Sequence, residues 1–280
     1  MVEPTPLTLG ANGFTFTGFS VGPPDGRTVL LLHGFPQTSG SWLEVAGRLA
    51  DRGLRAVAVD QRGYSPAARP TDVAAYAMPE LVADTCAFID ALGGPVDLVG
   101  HDWGGVVGWQ VAARHPERVR TWTAVSTPNQ LALNDALAAD DDQRERFGYI
   151  RVFREPGQAE AALLPDDAKR LRRLYGPTVA PERIDADVAA LQQPGALTAA
   201  LNWYRATPPG QSDDLGLVTV PTTYLWGTED VAFGRLAAEG SARYVDADYT
   251  FVPLDGVGHW VPDQAPDAVA AEILTLIQIT

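Results

Sequence analysis

Short apolar runs alternate with helical patterns along most of this 280-residue chain, and this alternation restricts the folds that the chain can adopt. The runs Val29–Leu32, Leu54–Val59, Val96–Val99 and Val119–Val125 are separated by segments with helical periodicity. Continuous apolar strands joined by helices are typical of a parallel sheet that is buried on both faces. We therefore predict an α/β fold with a mostly parallel central sheet, helices on both faces and Phe14–Phe19 as an antiparallel edge strand.

The pattern changes after Pro128, where only helical signals occur for about ninety residues. Strand character returns at Thr219–Trp226 and at Tyr249–Leu254, and each of these runs is followed by a helix. A helical insertion of this kind is expected over the carboxyl ends of the strands, where open α/β sheets bind ligands. We therefore predict one core domain and an inserted helical lid, with the core formed by residues 1–128 and 218–280 and the lid by residues 129–217.

The composition excludes several classes of protein. The formal net charge of -14 makes a nucleic acid or an anionic membrane an unsuitable partner. Cys86 is the single cysteine, so no internal disulfide can form, and we expect it to be a small core residue in a reducing compartment. Residues 1–10 lack a basic start followed by an apolar run, so we expect no signal peptide and a cytoplasmic location.

Asp102 has the spacing of a nucleophile. It follows the apolar run Val96–Val99 and precedes a helical pattern, with Gly100 and Gly104 two residues away on either side. This spacing fits the sharp strand-to-helix turn called a nucleophile elbow, in which the central residue has a positive φ and neighbouring side chains would clash. The alternative is a glycine-rich turn in which Asp102 only caps the helix. No Gly-x-Ser-x-Gly segment competes for the role.

An aspartate at this position narrows the chemistry. Attack of a carboxylate on an ordinary ester would give a high-energy anhydride. Attack on an electrophilic saturated carbon gives an enzyme-bound ester that water can hydrolyse. Epoxides and alkyl halides offer such a carbon.

The other catalytic groups are expected at the ends of other strands. His259, in a glycine-rich loop after the last strand, is the candidate base. Asp230, with Glu229 as the alternative, is the candidate acid that would orient this histidine. The backbone N–H groups of Phe35 and Trp103 are the candidate oxyanion hole for ester hydrolysis.

Together these segments resemble the α/β-hydrolase superfamily and, within it, the epoxide hydrolase family. The resemblance extends from about Thr28 to Thr275. Five motifs carry it: His33-Gly34-Phe35-Pro36, Asp60-Gln61-Arg62-Gly63-Tyr64, Gly100-His101-Asp102-Trp103-Gly104-Gly105, Trp226-Gly227-x-x-Asp230 and Gly258-His259-Trp260. Haloalkane dehalogenases share the elbow and histidine motifs, so these motifs do not separate the two activities.

Two tyrosines of the predicted lid favour the epoxide hydrolases. The segment that begins at Tyr149 and the segment Leu201–Arg205 are similar to those that carry the two epoxide-polarising tyrosines of that family, which implies this role for Tyr149 and Tyr204. Two phenols can hydrogen-bond and protonate the alkoxide that forms when an epoxide opens. The alternative is that both are amphipathic core tyrosines.

The resemblance implies hydrolysis of a small apolar epoxide to a vicinal diol, without a cofactor or a metal. The aromatic content near the motifs predicts an apolar substrate pocket, lined by Pro36, Phe153, Trp203 and Trp260 in addition to the oxyanion-hole residues.

Two alternatives remain open from the sequence. A haloalkane dehalogenase would use Asp102, Asp230 and His259 in the same roles and hold the halide with the indole N–H of Trp103. A second halide donor is not evident, and Asn129 and Trp203 are the candidates left open. A ligand-binding protein without catalysis could also use this fold.

Overall fold

The strands form one sheet whose order differs from their order in the chain. The computed structural model describes residues 3–207 and 214–279, so residues 1–2, 208–213 and 280 of the predicted core and lid lie outside the described part. The sheet has eight strands in the order β1-β2-β4-β3-β5-β6-β7-β8. The strands are β1 (Thr5–Ala11), β2 (Phe14–Val21), β3 (Thr28–Leu32), β4 (Arg55–Val59), β5 (Val96–His101), β6 (Val119–Val125), β7 (Thr222–Gly227) and β8 (Tyr249–Leu254).

The predicted parallel core is confirmed, but the prediction that Phe14–Phe19 forms an edge strand is wrong. Strands β3 to β8 pair in parallel, and β2 pairs antiparallel with β4. The edge is β1, which pairs antiparallel with β2 along its whole length, from Thr5 opposite Ser20 to Ala11 opposite Phe14. Phe14–Phe19 therefore lies between two strands. The segment is antiparallel as expected, but it is not at the edge.

Helices cover both faces of the sheet. Within the described residues the α-helices are α1 (Leu43–Ala50), α2 (Met78–Ala91), α3 (Trp103–Arg114), α4 (Gln130–Ala139), α5 (Asp141–Arg146), α6 (Ile150–Arg154), α7 (Gln158–Leu163), α8 (Pro165–Arg173), α9 (Pro181–Leu191), α10 (Ala196–Ala206), α11 (Arg235–Gly240), α12 (Val261–Gln264) and α13 (Pro266–Ile279). No helix among these residues is both long enough and apolar enough to cross a membrane.

Alternate residues of each central strand enter two separate cores because side chains alternate between the faces of a strand. In β3, Val29 and Leu31 pack with α1 and α13, whereas Leu30 and Leu32 pack with α2 and α3. All four side chains are fully buried, and full burial of one such side chain contributes about 1.5–3 kcal/mol. This packing fixes the carboxyl ends of the strands, where the candidate site lies.

Helices α4 to α10 lie in the chain between β6 and β7. The first of them, α4, packs against α11, and the Asn129 backbone N–H at its start donates to Ser241 Oγ at 3.0 Å. The beginning of the predicted lid therefore contacts the core. Farther along, α6 and α10 pack against each other and bring the segments that carry Tyr149 and Tyr204 together.

Candidate active site

Asp102 lies at the turn between β5 and α3, in the backbone conformation that the spacing predicts. Its φ is 50° and its ψ is -119°, a region that side-chain-bearing residues seldom occupy. A side chain at Gly100 would place its Cβ 2.3 Å from the Gly104 carbonyl oxygen, and one at Gly104 would place it 2.2 Å from the Leu32 carbonyl oxygen. The two glycines are therefore required by close backbone contacts.

The Asp102 carboxylate lies against backbone donors from two elements. The Phe35 N–H donates to Asp102 Oδ1 at 2.7 Å, and the Trp103 N–H lies at the start of α3, directly after Asp102. Burial raises the pKa of Asp102, but the neighbouring His259 and the Trp103 N–H outweigh burial, so the pKa lies below its ordinary value. The side chain is 11% exposed, so it is not completely enclosed by the protein.

His259 lies between two carboxylates. Its Nδ1 is 2.9 Å from Asp230 Oδ2, and its Nε2 is 3.6 Å from Asp102 Oδ2. Of the two carboxylates that the sequence left open, Asp230 is the one that contacts the ring, whereas Glu229 is exposed. Asp230 Oδ1 also accepts the Ala232 and Phe233 backbone N–H groups at 2.7 and 3.0 Å, which fixes the carboxylate in place.

The two carboxylates determine the charge of the ring. Burial lowers the pKa of His259, but the negative charge of Asp230 and the contacts with Asp102 raise it to about 10. At neutral pH the ring is therefore an imidazolium paired with Asp102. Loss of the charge on Asp102 would weaken this pairing and release a base.

The two candidate tyrosines lie close to Asp102. The Tyr204 ring is 5.0 Å from the Trp103 ring and 6.4 Å from the Tyr149 ring, measured between centroids. The Tyr204 ring therefore contacts both Trp103 and Tyr149, in each case edge to face. Burial and the charge of Asp102 raise the pKa of both phenols, so both hydroxyls stay protonated at neutral pH. Tyr204 is buried as a whole, whereas Tyr149 is 37% exposed as a residue and only its hydroxyl end is buried.

The predicted pocket residues occupy different positions. Phe153 packs against the Phe35 ring at 5.3 Å and lies beside both tyrosines. Trp203 lies behind Trp103 and is 2% exposed, and its indole N–H donates to the Arg62 carbonyl at 2.8 Å. Trp203 therefore packs edge to face against the Trp103 ring and holds it in position.

The remaining two pocket residues lie on the histidine side of the site. The Trp260 ring packs 4.9 Å from His259, measured between ring centroids, and it stacks on Tyr175. Pro36 presents its carbonyl oxygen to the Tyr175 hydroxyl at 3.3 Å.

The sequence reasoning assigned no role to His101 or Ser126. His101 Nε2 and Ser126 Oγ each lie 2.8 Å from the His259 carbonyl oxygen and donate to it, which fixes the backbone that carries the base. Burial lowers the pKa of His101 to about 4, so this ring is neutral. The one available signal was its position beside Asp102, at the end of β5.

The described residues contain no group of three or more histidine, cysteine, aspartate or glutamate side chains arranged to hold a metal ion. The groups assembled around Asp102 are a held carboxylate, an imidazolium oriented by a second carboxylate, two backbone donors and two protonated phenols. This set can carry out nucleophilic attack, stabilise an oxyanion and transfer protons.

Comparison with known proteins agrees with this architecture. A model of the alpha/beta hydrolase family matches residues 29–272. Epoxide hydrolase A of Mycobacterium tuberculosis is 31% identical over 99% of this chain and 98% of its own length.

Two solved structures have the same fold across almost their whole length. An epoxide hydrolase from metagenomes of hot environments has a TM-score of 0.86 at 31% identity and covers 99% of both chains. Epoxide hydrolase A of Mycobacterium thermoresistibile has a TM-score of 0.86 at 27% identity, over 99% of this chain and 98% of its own. The chain therefore belongs to the alpha/beta hydrolase family of enzymes, in its epoxide hydrolase branch.

Proposed function

We propose that this protein hydrolyses an epoxide to a vicinal diol through an ester between the substrate and Asp102. The observation that carries the proposal is the pair of protonated phenols, Tyr149 and Tyr204, beside a carboxylate in the elbow conformation. The relatives and the neighbouring structures named as epoxide hydrolases support the same activity.

In the first step, Asp102 attacks one epoxide carbon as the epoxide carbon–oxygen bond breaks. Oδ2 is the attacking oxygen because Oδ1 is held by the Phe35 N–H. The hydroxyls of Tyr149 and Tyr204 hydrogen-bond to the departing oxygen, and one of them protonates it. The product of this step is an alkyl ester at Asp102.

Before the second step, the imidazolium of His259 gives up its proton and the phenolate left by the first step regains one, so that both groups are neutral. Water then adds to the ester carbonyl carbon and gives its proton to His259. The Phe35 and Trp103 N–H groups stabilise the oxyanion, and Asp230 stabilises the imidazolium that forms. Collapse of this intermediate releases the diol with the former Oδ2, and the oxygen from water remains in the carboxylate.

We further propose that residues 129–217 act as a lid over this site. Phe153 and Tyr204, which lie in this part of the chain, pack against the Phe35 ring with centroid distances of 5.3 and 5.6 Å, and Tyr149 packs against Phe153 at 5.0 Å. Such an aromatic wall favours apolar substrates.

The covalent route is tested by one turnover in heavy-oxygen water, with styrene oxide as the substrate. We expect the label in the Asp102 carboxylate, located by mass spectrometry of the peptide that contains it. The variant His259→Gln should accumulate the ester because its base is missing. Label found only in the diol would contradict the covalent route.

The haloalkane dehalogenase alternative has less support from the geometry. The Trp103 indole, which would hold the halide, packs against the Tyr204 ring, and the Trp203 indole N–H donates to the Arg62 carbonyl. Parallel assays of diol formation and halide release distinguish the activities. Halide release without epoxide turnover would favour the dehalogenase.

A further inference from the structure

A buried carboxylate lies outside the proposed chemistry, where the helical segment meets the core. Asp187 of α9 is fully buried. Its Oδ1 accepts the Thr38 backbone N–H at 3.0 Å, the Thr38 hydroxyl at 2.7 Å and the Arg183 guanidinium at 3.1 Å. Its Oδ2 lies 3.2 Å from the Tyr175 hydroxyl. Aspartate is seldom fully buried unless it is paired, and here most of its donors come from outside its own helix.

Thr38 belongs to the loop that supplies the Phe35 N–H. This loop is short and internally hydrogen-bonded, with the Gln37 N–H donating to the Gly34 carbonyl at 2.9 Å. Tyr175 reaches the same loop through its hydroxyl, which lies 3.3 Å from the Pro36 carbonyl oxygen. Asp187 and Tyr175 therefore hold the loop immediately after the oxyanion donor.

The same part of the helical segment also contacts the loop that follows His259. Tyr175 stacks on Trp260 with ring centroids 5.1 Å apart, and the Trp260 indole N–H donates to the Leu174 carbonyl at 3.1 Å. We name residues 174–187 the bridging segment, because it contacts both the Phe35 loop and the His259 loop. The two loops supply the oxyanion donor and the base of the same step.

We propose that Asp187 is a positioning residue that sets the Phe35 N–H for hydrolysis of the ester at Asp102, by holding Thr38. The inference rests on the proposed function. Asp187 lies on a different element from every group that touches the substrate, and it acts through the backbone of the Phe35 loop.

This role affects the two steps differently. During ester formation the Asp102 carboxylate loses its negative charge, so the Phe35 N–H binds the starting carboxylate more strongly than the ester. During ester hydrolysis an oxyanion develops and the same N–H stabilises the transition state. Displacement of Phe35 should therefore slow hydrolysis and leave ester formation almost unchanged. General damage to the site would slow both steps.

The experiment uses rapid-quench mass spectrometry of the intact protein with styrene oxide, which gives the rates of ester formation and loss. In Asp187→Ala we expect ester hydrolysis to slow at least tenfold and ester formation to stay within threefold of the parent. Loss of one oxyanion donor slows catalysis about 100- to 1000-fold, so displacement of a donor should cost less than its removal. Asp187→Asn keeps an acceptor for Thr38 and should restore hydrolysis to within threefold of the parent.

Asp185→Asn is the matched control, because Asp185 lies on the same helix but is exposed and pairs with Arg172. It should change neither rate. Equal slowing of both steps in Asp187→Ala, or no change in hydrolysis, would overturn the inference. Equal impairment of Asp187→Asn and Asp187→Ala would also overturn it.

If Asp187→Ala does not fold, Thr38→Val removes only the hydroxyl donor and should slow ester hydrolysis about threefold or more, with formation unchanged. An unchanged hydrolysis rate in this variant would refute the inference. Absence of any ester in the parent protein refutes the proposed function and the inference with it. Ester in the parent with normal hydrolysis in the variants refutes the inference alone.

Discussion

Replacement of Asp102 by asparagine should lower the pKa of His259, which is about 10 in the parent, by about three pH units. The ring lies between Asp230, 2.9 Å from Nδ1, and Asp102, 3.6 Å from Nε2. Asparagine keeps the size of the side chain and an acceptor for the Phe35 N–H, but it removes one of the two negative charges. Because a negative charge stabilises the imidazolium, its loss must lower the pKa.

The magnitude follows from the separation of the two groups. At 3.6 Å and an effective dielectric constant of about 20, two unit charges attract by about 4–5 kcal/mol. One pKa unit corresponds to about 1.4 kcal/mol, so the change is about three units. Formation of the ester removes the same charge. The step that alkylates Asp102 therefore also converts His259 into a base that is neutral near pH 7, ready to activate water.

The assay is an NMR titration of the protein labelled in its histidines, of which the chain has four. The resonance that disappears in His259→Gln identifies the ring. Asp267→Asn serves as the control, because Asp267 is an exposed carboxylate that pairs with Arg48, and it should leave the titration unchanged. If His259 in Asp102→Asn shifts by less than about one unit, the charge at position 102 does not govern the base, and the coupling of the two steps is refuted.

Three further predictions test the other parts of the site. Tyr149→Phe and Tyr204→Phe should each slow ester formation about 10- to 100-fold in rapid-quench measurements, because each phenol acts on the departing epoxide oxygen. Hydrolysis of the ester should be unchanged, and equal slowing of both steps would contradict this role. Gly34→Ala should reduce turnover at least 100-fold without loss of the circular dichroism signal, because its Cβ would lie 2.2 Å from a carboxylate oxygen of the proposed nucleophile. The control Gly47→Ala, in open space on α1, should keep full turnover. Normal activity in Gly34→Ala would show that the carboxylate can move without effect. Burial raises the pKa of Asp263 from an ordinary 3.8 to about 6, so its charge destabilises the folded state as pH rises through this range. In urea denaturation, Asp263→Asn should be up to about 3 kcal/mol more stable than the parent at pH 7.5 and equal to it near pH 4. If the variant and the parent are equally stable at both pH values, the argument is refuted.

The parallel strands could be predicted because both faces of the sheet are buried. The central strands are then largely apolar, as in the unbroken run Val29–Leu32 of β3. For Val119–Val125, which also carries Arg120 and two threonines, the predicted and observed bounds coincide. β1 escaped prediction because only Leu9 and Ala11 of its residues are buried. An edge strand with one covered face carries too few apolar positions to be distinguished from a loop.

In the candidate site, too, features that are local in the sequence could be predicted and contacts between distant residues could not. Asp102 and its flanking glycines are local in sequence, so their spacing alone predicts the observed turn. The contact of Asp187 with Thr38 joins residues 149 positions apart and brings together two loops that no local pattern relates. A choice such as Asp230 over Glu229 also depends on burial, because both carboxylates follow the same strand and only one turns inward.

His101 and His259 show most clearly why the charge of a residue is a property of the fold. Their rings lie 5.0 Å apart and both are buried. Burial dominates at His101 and lowers its pKa to about 4, whereas the two carboxylates that contact His259 overcome burial and raise its pKa to about 10. A neutral His101 can hold the His259 carbonyl without adding a second positive charge beside Asp102. Two carboxylates and one imidazolium then give the free site a net charge of about -1, and alkylation of Asp102 removes that excess at the moment when His259 must give up its proton.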